Sequence, residues 1–202
     1  SITSDNGMSW KESKIGYNTY TIGAVRRNSS SIWVLVDNYG LYSSSDFGDT
    51  WTQASIGIDN RKITCIAVNG MNIYAGTQGE GVFLSTNNGM KWQPASNGLA
   101  KQTINCIEIK DSHVFIGTDG GLFMSTANCD LWTECNNGMP QNKDIRNIAF
   151  TNSHIFAVQS DGGIVTSELA CFGINDVLES KAPSFDVEIS PNPSSGRVRI
   201  TT

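Results

Sequence analysis

The nine residues SSSDFGDTW (43–51) combine serines, an aspartate, a glycine and a tryptophan, and related strings occur four times in the chain. Aligned on their last residue, the copies are TSDNGMSW (3–10), SSDFGDTW (44–51), STNNGMKW (85–92) and STANCDLW (125–132). The four tryptophans are spaced by 41, 41 and 40 residues. A fixed period of this length is typical of repeat architectures, so the period and not the single motif decides the expected fold.

Each period contains the same succession of short apolar segments. One period reads ITCIAV (63–68), NIYAGT (72–77), GVFLST (81–86) and KWQPAS (91–96). Segments rich in Ile, Val, Phe and Tyr that are separated by Gly, Asn and Asp indicate strands rather than helices. Four short antiparallel strands in about 40 residues is the pattern of a β-propeller blade. We therefore predict an all-β fold, a β-propeller of four-stranded antiparallel blades.

The recurring string resembles the Asp-box, or BNR repeat, whose pattern is Ser/Thr-x-Asp-x-Gly-x-x-Trp. This repeat is found in sialidase-like and photosystem II assembly-factor-like propellers. The first two copies match every defined position, the third replaces the aspartate, and the fourth has Ala127 and Cys129 in place of the aspartate and the glycine. The matching residues and the one replacement are Asp5, Gly7, Trp10, Asp46, Gly48, Trp51, Asn87, Gly89, Trp92 and Trp132.

These residues are interpreted as structural. The aspartates are expected to accept hydrogen bonds from amides of their own turn, and the glycines to supply a residue with positive φ. The tryptophan begins the outer strand, where it can pack between blades. A carboxylate that accepts amide hydrogen bonds has a lowered pKa and is a poor general base, so we predict no catalytic role for Asp5 or Asp46.

The end of the chain has a different pattern. Residues 171–184 include the polar stretch ESKAPS and are interpreted as a linker. In residues 185–202, the segment DVEISPNPSSGRVRI resembles the start of the type A C-terminal sorting domain of the type IX secretion system, a β-sandwich tag on exported proteins of Bacteroidota. The residues that carry this resemblance are Ile189, Pro191, Asn192, Pro193, Gly196, Val198 and Ile200.

The resemblance implies a cellular location and a partner. It implies export through the periplasm to the exterior of the outer membrane, secreted or at the cell surface, with type IX translocon or shuttle proteins as partners of the C-terminal segment. The predicted organisation is therefore propeller blades over 1–170, a linker over 171–184 and the beginning of a sorting domain over 185–202.

Two arrangements of the blades remain open. The last repeat, from residue 145 to about 168, has three strand-like segments and no Trp string, whereas the chain starts inside such a string. Residues 1–13 could complete the last blade and close a ring of four. Alternatively, further blades precede Ser1 and the chain is a fragment of a larger ring, which a start in mid-hairpin favours.

Composition excludes some partners. The chain of 202 residues has 14 basic and 19 acidic residues, for a net charge of -5, and its lysines and arginines are scattered. This charge distribution predicts no binding to nucleic acid. No apolar segment approaches the roughly 20 residues that cross a bilayer, so no membrane span is expected. No cofactor is predicted either.

The search for catalytic residues favours a non-catalytic protein. A sialidase site needs several converging arginines, and the repeats contain only Arg26, Arg27, Arg61 and Arg146. Asp-boxes also occur in large xyloglucan-cleaving hydrolases, whose two acids face each other across a cleft between propellers. A fragment of a sialidase-like or xyloglucanase-like glycoside hydrolase therefore stays as the alternative.

His and Cys residues follow the repeat and are interpreted as structural. His113 and His154 occupy equivalent positions in successive repeats, too far apart to share a metal ion. Cys65 and Cys106 are also equivalent and are expected to pack in the core. Cys129 and Cys135 are the one pair close enough in sequence to suggest a disulfide, with buried thiols as the alternative.

The remaining candidate is a surface. In a propeller, the turns after the second strands and the loops after the fourth strands share one face, and the Trp strings lie on the other. We predict that the first face recognises a glycan or a surface protein, with simple solvation as the alternative reading of its charges. Its candidate residues are Asp37, Tyr39, Arg61, Lys62, Glu80, Lys101, Asp119, Lys143 and Asp161.

Overall fold

The structure is a computed structural model that describes residues 8–16, 21–58, 61–100, 103–141 and 143–174. The segments 171–184 and 185–202, apart from the first four residues of the linker, lie outside the described residues. In the described part, strands account for nearly all regular structure, followed by one short 3₁₀ helix, Leu169–Phe172. None of the described helical residues forms a helix long and apolar enough to cross a membrane.

Fifteen strands form four successive antiparallel sheets, which we call blades 1 to 4. Blade 1 contains β1 (Ile22–Arg27), β2 (Ile32–Val36), β3 (Gly40–Ser44) and β4 (Thr52–Gln53). Blade 2 contains β5 (Ile63–Asn69), β6 (Asn72–Thr77), β7 (Val82–Ser85) and β8 (Gln93–Pro94). Blade 3 contains β9 (Ile104–Lys110), β10 (His113–Thr118), β11 (Gly121–Thr126) and β12 (Thr133–Glu134). Blade 4 contains β13 (Ile145–Phe150), β14 (His154–Gln159) and β15 (Ile164–Glu168).

Strand order within each blade follows the chain, as consecutive hairpins require. The first strands of neighbouring blades, β1, β5, β9 and β13, contact one another in sequence and form the inner side of the array. The prediction of an all-β fold built from four-stranded blades is confirmed. Among the described residues, blade 4 has three strands.

The hydrophobic core lies between blades. Successive side chains of a strand point to opposite faces of its sheet, so each blade has two apolar faces to bury. In β2, Trp33 and Leu35 pack toward blade 2, whereas Val34 and Val36 pack on the opposite face, with Ile15. A blade with two apolar faces needs a neighbour on each side.

Two glycines leave room for a buried cysteine of the inner strand and for the next blade. Cys65 pairs with Gly76 across the sheet, and Cys106 pairs with Gly117. A Cβ atom at Gly76 or Gly117 would lie 2.6 Å from the paired sulfur and equally close to an isoleucine of the next blade. Burial raises the pKa of both thiols to about 12. All five cysteines, including Cys129 and Cys135, are free thiols.

A tryptophan links each of blades 1 to 3 to the preceding outer strand. The indole Nε1–H of Trp92 donates to the carbonyl of Ala54 at 2.8 Å, and that of Trp132 donates to the carbonyl of Ala95 at 2.7 Å. Trp51 makes the equivalent bond to Ser13 Oγ at 2.9 Å. In each case the acceptor follows the preceding tryptophan of the repeat by three residues. The fold therefore repeats one contact at each of these junctions.

Trp132→Ala should lower the free energy of unfolding by about 3–5 kcal/mol, because the side chain fills the junction between blades 2 and 3. Trp132 is 3% exposed. Its neighbour Leu131 is 58% exposed, so Leu131→Ala is the matched control and should cost about 0.5 kcal/mol or less. Urea denaturation followed by circular dichroism measures both. Equal losses in the two variants would contradict the proposed role of the tryptophan.

Candidate functional site

The segments 44–51, 85–92 and 125–132, which we call the Trp turns, connect the third and fourth strands of blades 1 to 3. In blade 1, Asp46 Oδ1 accepts hydrogen bonds from the Thr50 amide at 2.9 Å and the Ser44 hydroxyl at 2.7 Å. Asp46 Oδ2 accepts the Thr50 hydroxyl at 2.6 Å, and Ser44 Oγ accepts the amide of Gly48 at 2.7 Å. The aspartate is thus occupied by its own turn.

The Trp turn of blade 2 uses an amide in the same place. Asn87 Oδ1 accepts the Lys91 amide at 2.9 Å and the Ser85 hydroxyl at 2.9 Å. Gly48 and Gly89 both have positive φ, 84° and 77°. The oxygen acceptor, rather than the negative charge, is the feature that the two turns share.

The Trp turn of blade 3 keeps its shape with other contacts. Cys129 occupies the position of the glycines and has a φ of 54°. Ser125 Oγ donates to the carbonyl of Leu131 at 2.6 Å, since Ala127 offers no acceptor side chain. In the first copy, Asp5 and Gly7 lie outside the described residues, and Trp10 is 62% exposed.

These contacts determine the chemistry of Asp46. Hydrogen bonds from Thr50, with a further one from Ser44, hold its pKa well below the usual value of an aspartate. The carboxylate is therefore ionised at neutral pH and has no tendency to take up a proton, which is unsuited to general base catalysis.

The opposite face of the blades carries the candidate ligand residues. There, the turn after each second strand bonds to the segment before the first strand of the same blade. The four equivalent bonds run from the amides of Asp37, Gln78, Asp119 and Ser160 to the carbonyls of Thr21, Lys62, Thr103 and Asp144. This regular pairing places one acidic or polar turn residue of each blade beside the loop that enters that blade.

One pocket of about 610 Å³ opens on this face between blades 1 and 2. Its polar lining comes from Asp37 and Asn38 in the turn of blade 1, and from Arg61, Lys62 and Thr64 at the entry to blade 2. Leu35, Val36 and Ile63 form the apolar part of the wall. A volume of this size is typical of pockets that bind small ligands; we call this the blade 1–2 pocket.

Arg61 is held in place at the pocket. Its Nε donates to Glu80 Oε2 at 2.9 Å, and its Nη1 donates to the carbonyl of Gly57 at 3.3 Å. The guanidinium carbon lies 4.7 Å from the centre of the Phe83 ring. Three contacts from different segments hold the guanidinium group in one position.

The other predicted ligand residues lie apart from this pocket. Asp119 Oδ1 accepts the amide of Thr103 at 3.2 Å, and Asp161 Oδ1 accepts the amide of Gly163 at 2.9 Å. Lys143 lies 3.6 Å from Glu134 in an ion pair. Tyr39 is exposed in the turn of blade 1 without lining the pocket. Lys101 lies outside the described residues.

A second polar cluster on this face was missed by the sequence analysis. Arg146 Nη2 donates to Asp144 Oδ2 at 2.6 Å, and Asn105 Nδ2 donates to Asp144 Oδ1 at 3.1 Å. Asn105 and Arg146 occupy the repeat position of Thr64, 41 and 82 residues further on. Following that position through the repeats would have revealed the cluster, because all three side chains are polar at the second position of the first strand of their blades.

On the inner side of the array, Arg26 of β1 and Glu108 of β9 form an ion pair at 3.2 Å. Burial raises the pKa of Glu108, and the adjacent Arg26 opposes this shift. The residue between them in the repeat, Ala67 of β5, is small enough for the two side chains to meet. The pair therefore connects blade 1 to blade 3 across the intervening strand.

The described residues contain no group of three or more His, Cys, Asp and Glu side chains arranged to hold a metal ion. His113 and His154 begin β10 and β14 in separate blades. Each has its Nδ1 near the hydroxyl of the preceding serine, at 3.5 Å for Ser112 and 2.8 Å for Ser153.

Comparison with known proteins identifies the fold. No protein-family model matches the sequence, and no curated protein matches it. Among solved structures, an ancestral GH74 enzyme has a TM-score of 0.61 at 19% identity, covering 74% of this chain and 24% of that chain. YCF48 bound to D1 peptide has a TM-score of 0.61 at 16% identity, covering 81% of this chain and 56% of that chain.

PorZ, described as a surface component of the type-IX secretion system of Porphyromonas gingivalis, is also similar. Its TM-score is 0.57 at 11% identity, with 75% of this chain and 21% of that chain covered. These proteins are β-propellers, and the fold of this chain is that of β-propeller blades. The chain spans about a quarter of the GH74 enzyme and about half of YCF48.

Two single variants, Asp46→Asn and Asn87→Asp, should change the acid sensitivity of stability in opposite directions. The folded-state pKa of Asp46 is lowered, so its stabilising contribution is present above the unfolded value of about 3.9 and is lost as the pH falls below it. Asp46→Asn should lower stability at pH 7, because the neutral amide lacks the charge-dependent part of this contribution, and should make stability less dependent on pH below about 4. Asn87→Asp should do the reverse.

Urea midpoints of the wild type and both variants at pH 7 and pH 3 measure this effect. Each variant serves as the control for the other, because both changes replace one side-chain oxygen acceptor with another. The same loss of stability on acidification in all three proteins would contradict the assignment of the lowered pKa to the turn.

Proposed function

We propose that this chain is a non-catalytic binding module of an exported propeller and that its blade 1–2 pocket takes the ligand. The observation that carries the proposal is the preorganised guanidinium of Arg61, held by Glu80, Gly57 and Phe83 at the edge of a concave site.

The chemistry of the pocket favours an acidic ligand that also has hydroxyl groups. Arg61 and Lys62 offer positive charge, and Lys62 has no salt bridge within the part of the chain that the structure describes. Asp37 and Asn38 offer oxygen acceptors for hydroxyl groups on the same ligand. An acidic glycan meets both requirements, and an acidic segment of a surface protein is the other candidate.

A fragment of a glycoside hydrolase is the second candidate function. The likeness to GH74 enzymes favours it, although at 19% identity this likeness establishes the fold alone. Glu108 is the described carboxyl group with a raised pKa, which a general acid requires, but Arg26 engages it in an ion pair. We therefore place binding without hydrolysis first.

We also propose export by the type IX secretion system, to the cell surface or the medium. The support is the resemblance of residues 185–202 to a type A sorting domain, carried by Pro191, Asn192, Pro193 and Gly196. Those residues lie outside the described part of the chain. The likeness to PorZ is a likeness of fold, and it is compatible with an extracellular location.

Binding to a glycan array that includes acidic sugars tests the first proposal. Lys62→Gln and Arg61→Gln should each weaken binding about tenfold or more, because a hydrogen bond to a charged group is worth about 1.5–3 kcal/mol. Lys91→Gln is the matched control, since Lys91 is exposed in the Trp turn of blade 2 on the opposite face.

A hydrolysis assay on the bound glycans completes this experiment. Binding without turnover supports the binding module, and turnover supports the hydrolase. Binding that is equally weakened by Lys91→Gln would show that the blade 1–2 pocket is not the site.

A pull-down tests the export proposal independently. The whole chain and a chain ending at Glu179 are immobilised and incubated with a cell-envelope fraction of a Bacteroidota bacterium. We expect type IX translocon or shuttle proteins with the whole chain only, because the shorter chain lacks the resembling segment. Equal recovery with both chains would contradict the proposal.

A further inference from the structure

The first strand of each blade contains a β-bulge at its second residue. The antiparallel pairing with the second strand skips one residue there, and we call this repeat position the bulge position. The unpaired residues are Gly23 in β1, Thr64 in β5, Asn105 in β9 and Arg146 in β13. A bulge changes the direction of a side chain relative to the regular alternation of the strand, and bulges are frequent beside functional sites.

At two junctions the side chain of the bulge position bonds to the next blade. Thr64 Oγ1 of blade 2 donates to the carbonyl of Ile104 in blade 3. Asn105 Nδ2 of blade 3 donates to the carbonyl of Ile145 in blade 4 at 2.9 Å. Each acceptor is the first residue of the first strand of its blade. The two contacts are therefore one repeated hydrogen bond between successive inner strands.

The junction of blades 1 and 2 cannot make this bond, because the residue at the bulge position of blade 1 is Gly23. The φ angle of Gly23 is not positive, so its backbone conformation does not require a glycine. The glycine instead leaves space. A Cβ atom at Gly23 would lie 3.0 Å from Asp37 Oδ1 and 3.5 Å from Leu35 Cδ2, and both residues line the blade 1–2 pocket.

The position of the missing side chain therefore adjoins the blade 1–2 pocket. By the repeat, the acceptor at this junction is the carbonyl of Ile63, the first residue of β5, and Ile63 belongs to the pocket wall. The carboxylate of Asp37 offers a second acceptor beside Gly23. The pocket thus combines two oxygen acceptors with the positive charges of Arg61 and Lys62.

We propose that a hydroxyl group of the ligand takes the place of the missing side chain and donates to the carbonyl of Ile63. The model for this contact is the hydroxyl of Thr64, which donates to the carbonyl of Ile104 at the next junction. Asp37 then accepts a hydrogen bond from a second hydroxyl of the ligand, and the two basic residues bind its acidic group. This inference rests on the proposed function, the binding of an acidic ligand in the blade 1–2 pocket.

The proposal decides between the two candidate ligands. An ionised Asp or Glu side chain only accepts hydrogen bonds, so the acidic side chains of a peptide have no donor for these two acceptors. A sugar acid carries a carboxylate and several hydroxyl groups on one ring. The apolar wall of Leu35, Val36 and Ile63 suits the C–H groups of such a ring. We therefore assign to the pocket a sugar acid unit of an acidic glycan.

Gly23→Thr tests the proposal, because it gives blade 1 the residue that blade 2 has at the bulge position. The new side chain fills the space and can donate to the carbonyl of Ile63, so binding of a sugar acid should weaken about tenfold or more. Gly23→Val has nearly the same shape without the hydroxyl. It should weaken binding as well, but its urea midpoint should be lower than that of Gly23→Thr.

Val25→Thr is the matched control for binding, because it introduces the same residue on the same strand at a position that does not line the pocket. It should bind as the wild type does. Isothermal titration calorimetry measures binding of three probes, which are oligosaccharides ending in glucuronate, oligosaccharides ending in galacturonate, and hexaglutamate. The wild type should bind at least one of the oligosaccharides, and hexaglutamate at least about tenfold more weakly.

Deoxy analogues of the oligosaccharide that binds more tightly identify the hydroxyl group. Removal of the hydroxyl that occupies the site should weaken binding to the wild type about tenfold. The same removal should leave the remaining affinity of Gly23→Thr unchanged, because the threonine already occupies that place.

Two results would overturn the proposal. They are binding by Gly23→Thr that is as tight as that of the wild type, and tighter binding of hexaglutamate than of either oligosaccharide. If Arg61→Gln still weakens binding in these cases, the pocket is the site and the assignment of the hydroxyl group is wrong. A wild type that binds none of the probes, or binding that Arg61→Gln leaves unchanged, would contradict the proposed function itself and this inference with it.

Discussion

The contact on which the structure depends is the tryptophan that each Trp turn sends toward the preceding blade. A blade has two apolar faces, as Val34 and Leu35 show on adjacent positions of β2, and it cannot bury both alone. The indole fills the outer part of the junction, and its Nε1–H gives the junction a fixed register through a backbone carbonyl. Stability is therefore shared between neighbours rather than contained in single blades.

This constraint explains which residues of the Trp turns vary. The turn must place the tryptophan at the start of the outer strand, and its backbone amides must find hydrogen-bond acceptors. The side-chain oxygen of an aspartate or of an asparagine can accept such an amide hydrogen bond. In blade 3 neither is present, and Ser125 and a positive-φ Cys129 still form a turn that leads into Trp132.

The same arrangement separates the Trp turns from the face that we propose binds a ligand. The Trp turns use Asp46 and Asn87 for hydrogen bonds of their own on one face, and the proposed ligand residues lie on the other. There, the loop into each blade meets the turn of the same blade, and the neighbouring turn completes a concave site such as the blade 1–2 pocket. Arg61 lines the blade 1–2 pocket, and Phe83 and Glu80 of blade 2 hold its guanidinium group.

The sequence by itself determined the repeat, the strand order and the all-β class, because a period of about 41 residues and alternating apolar positions depend on local chain geometry alone. It also indicated Asp37, Arg61 and Lys62 as residues of one face. Only the tertiary structure decided that these three meet in one pocket, that Asn105, Asp144 and Arg146 form a second cluster, and that Arg26 reaches Glu108. Those contacts join residues up to 82 positions apart. They depend on the angle and spacing at which the blades stack. The packing of large side chains between the sheets determines that angle and spacing.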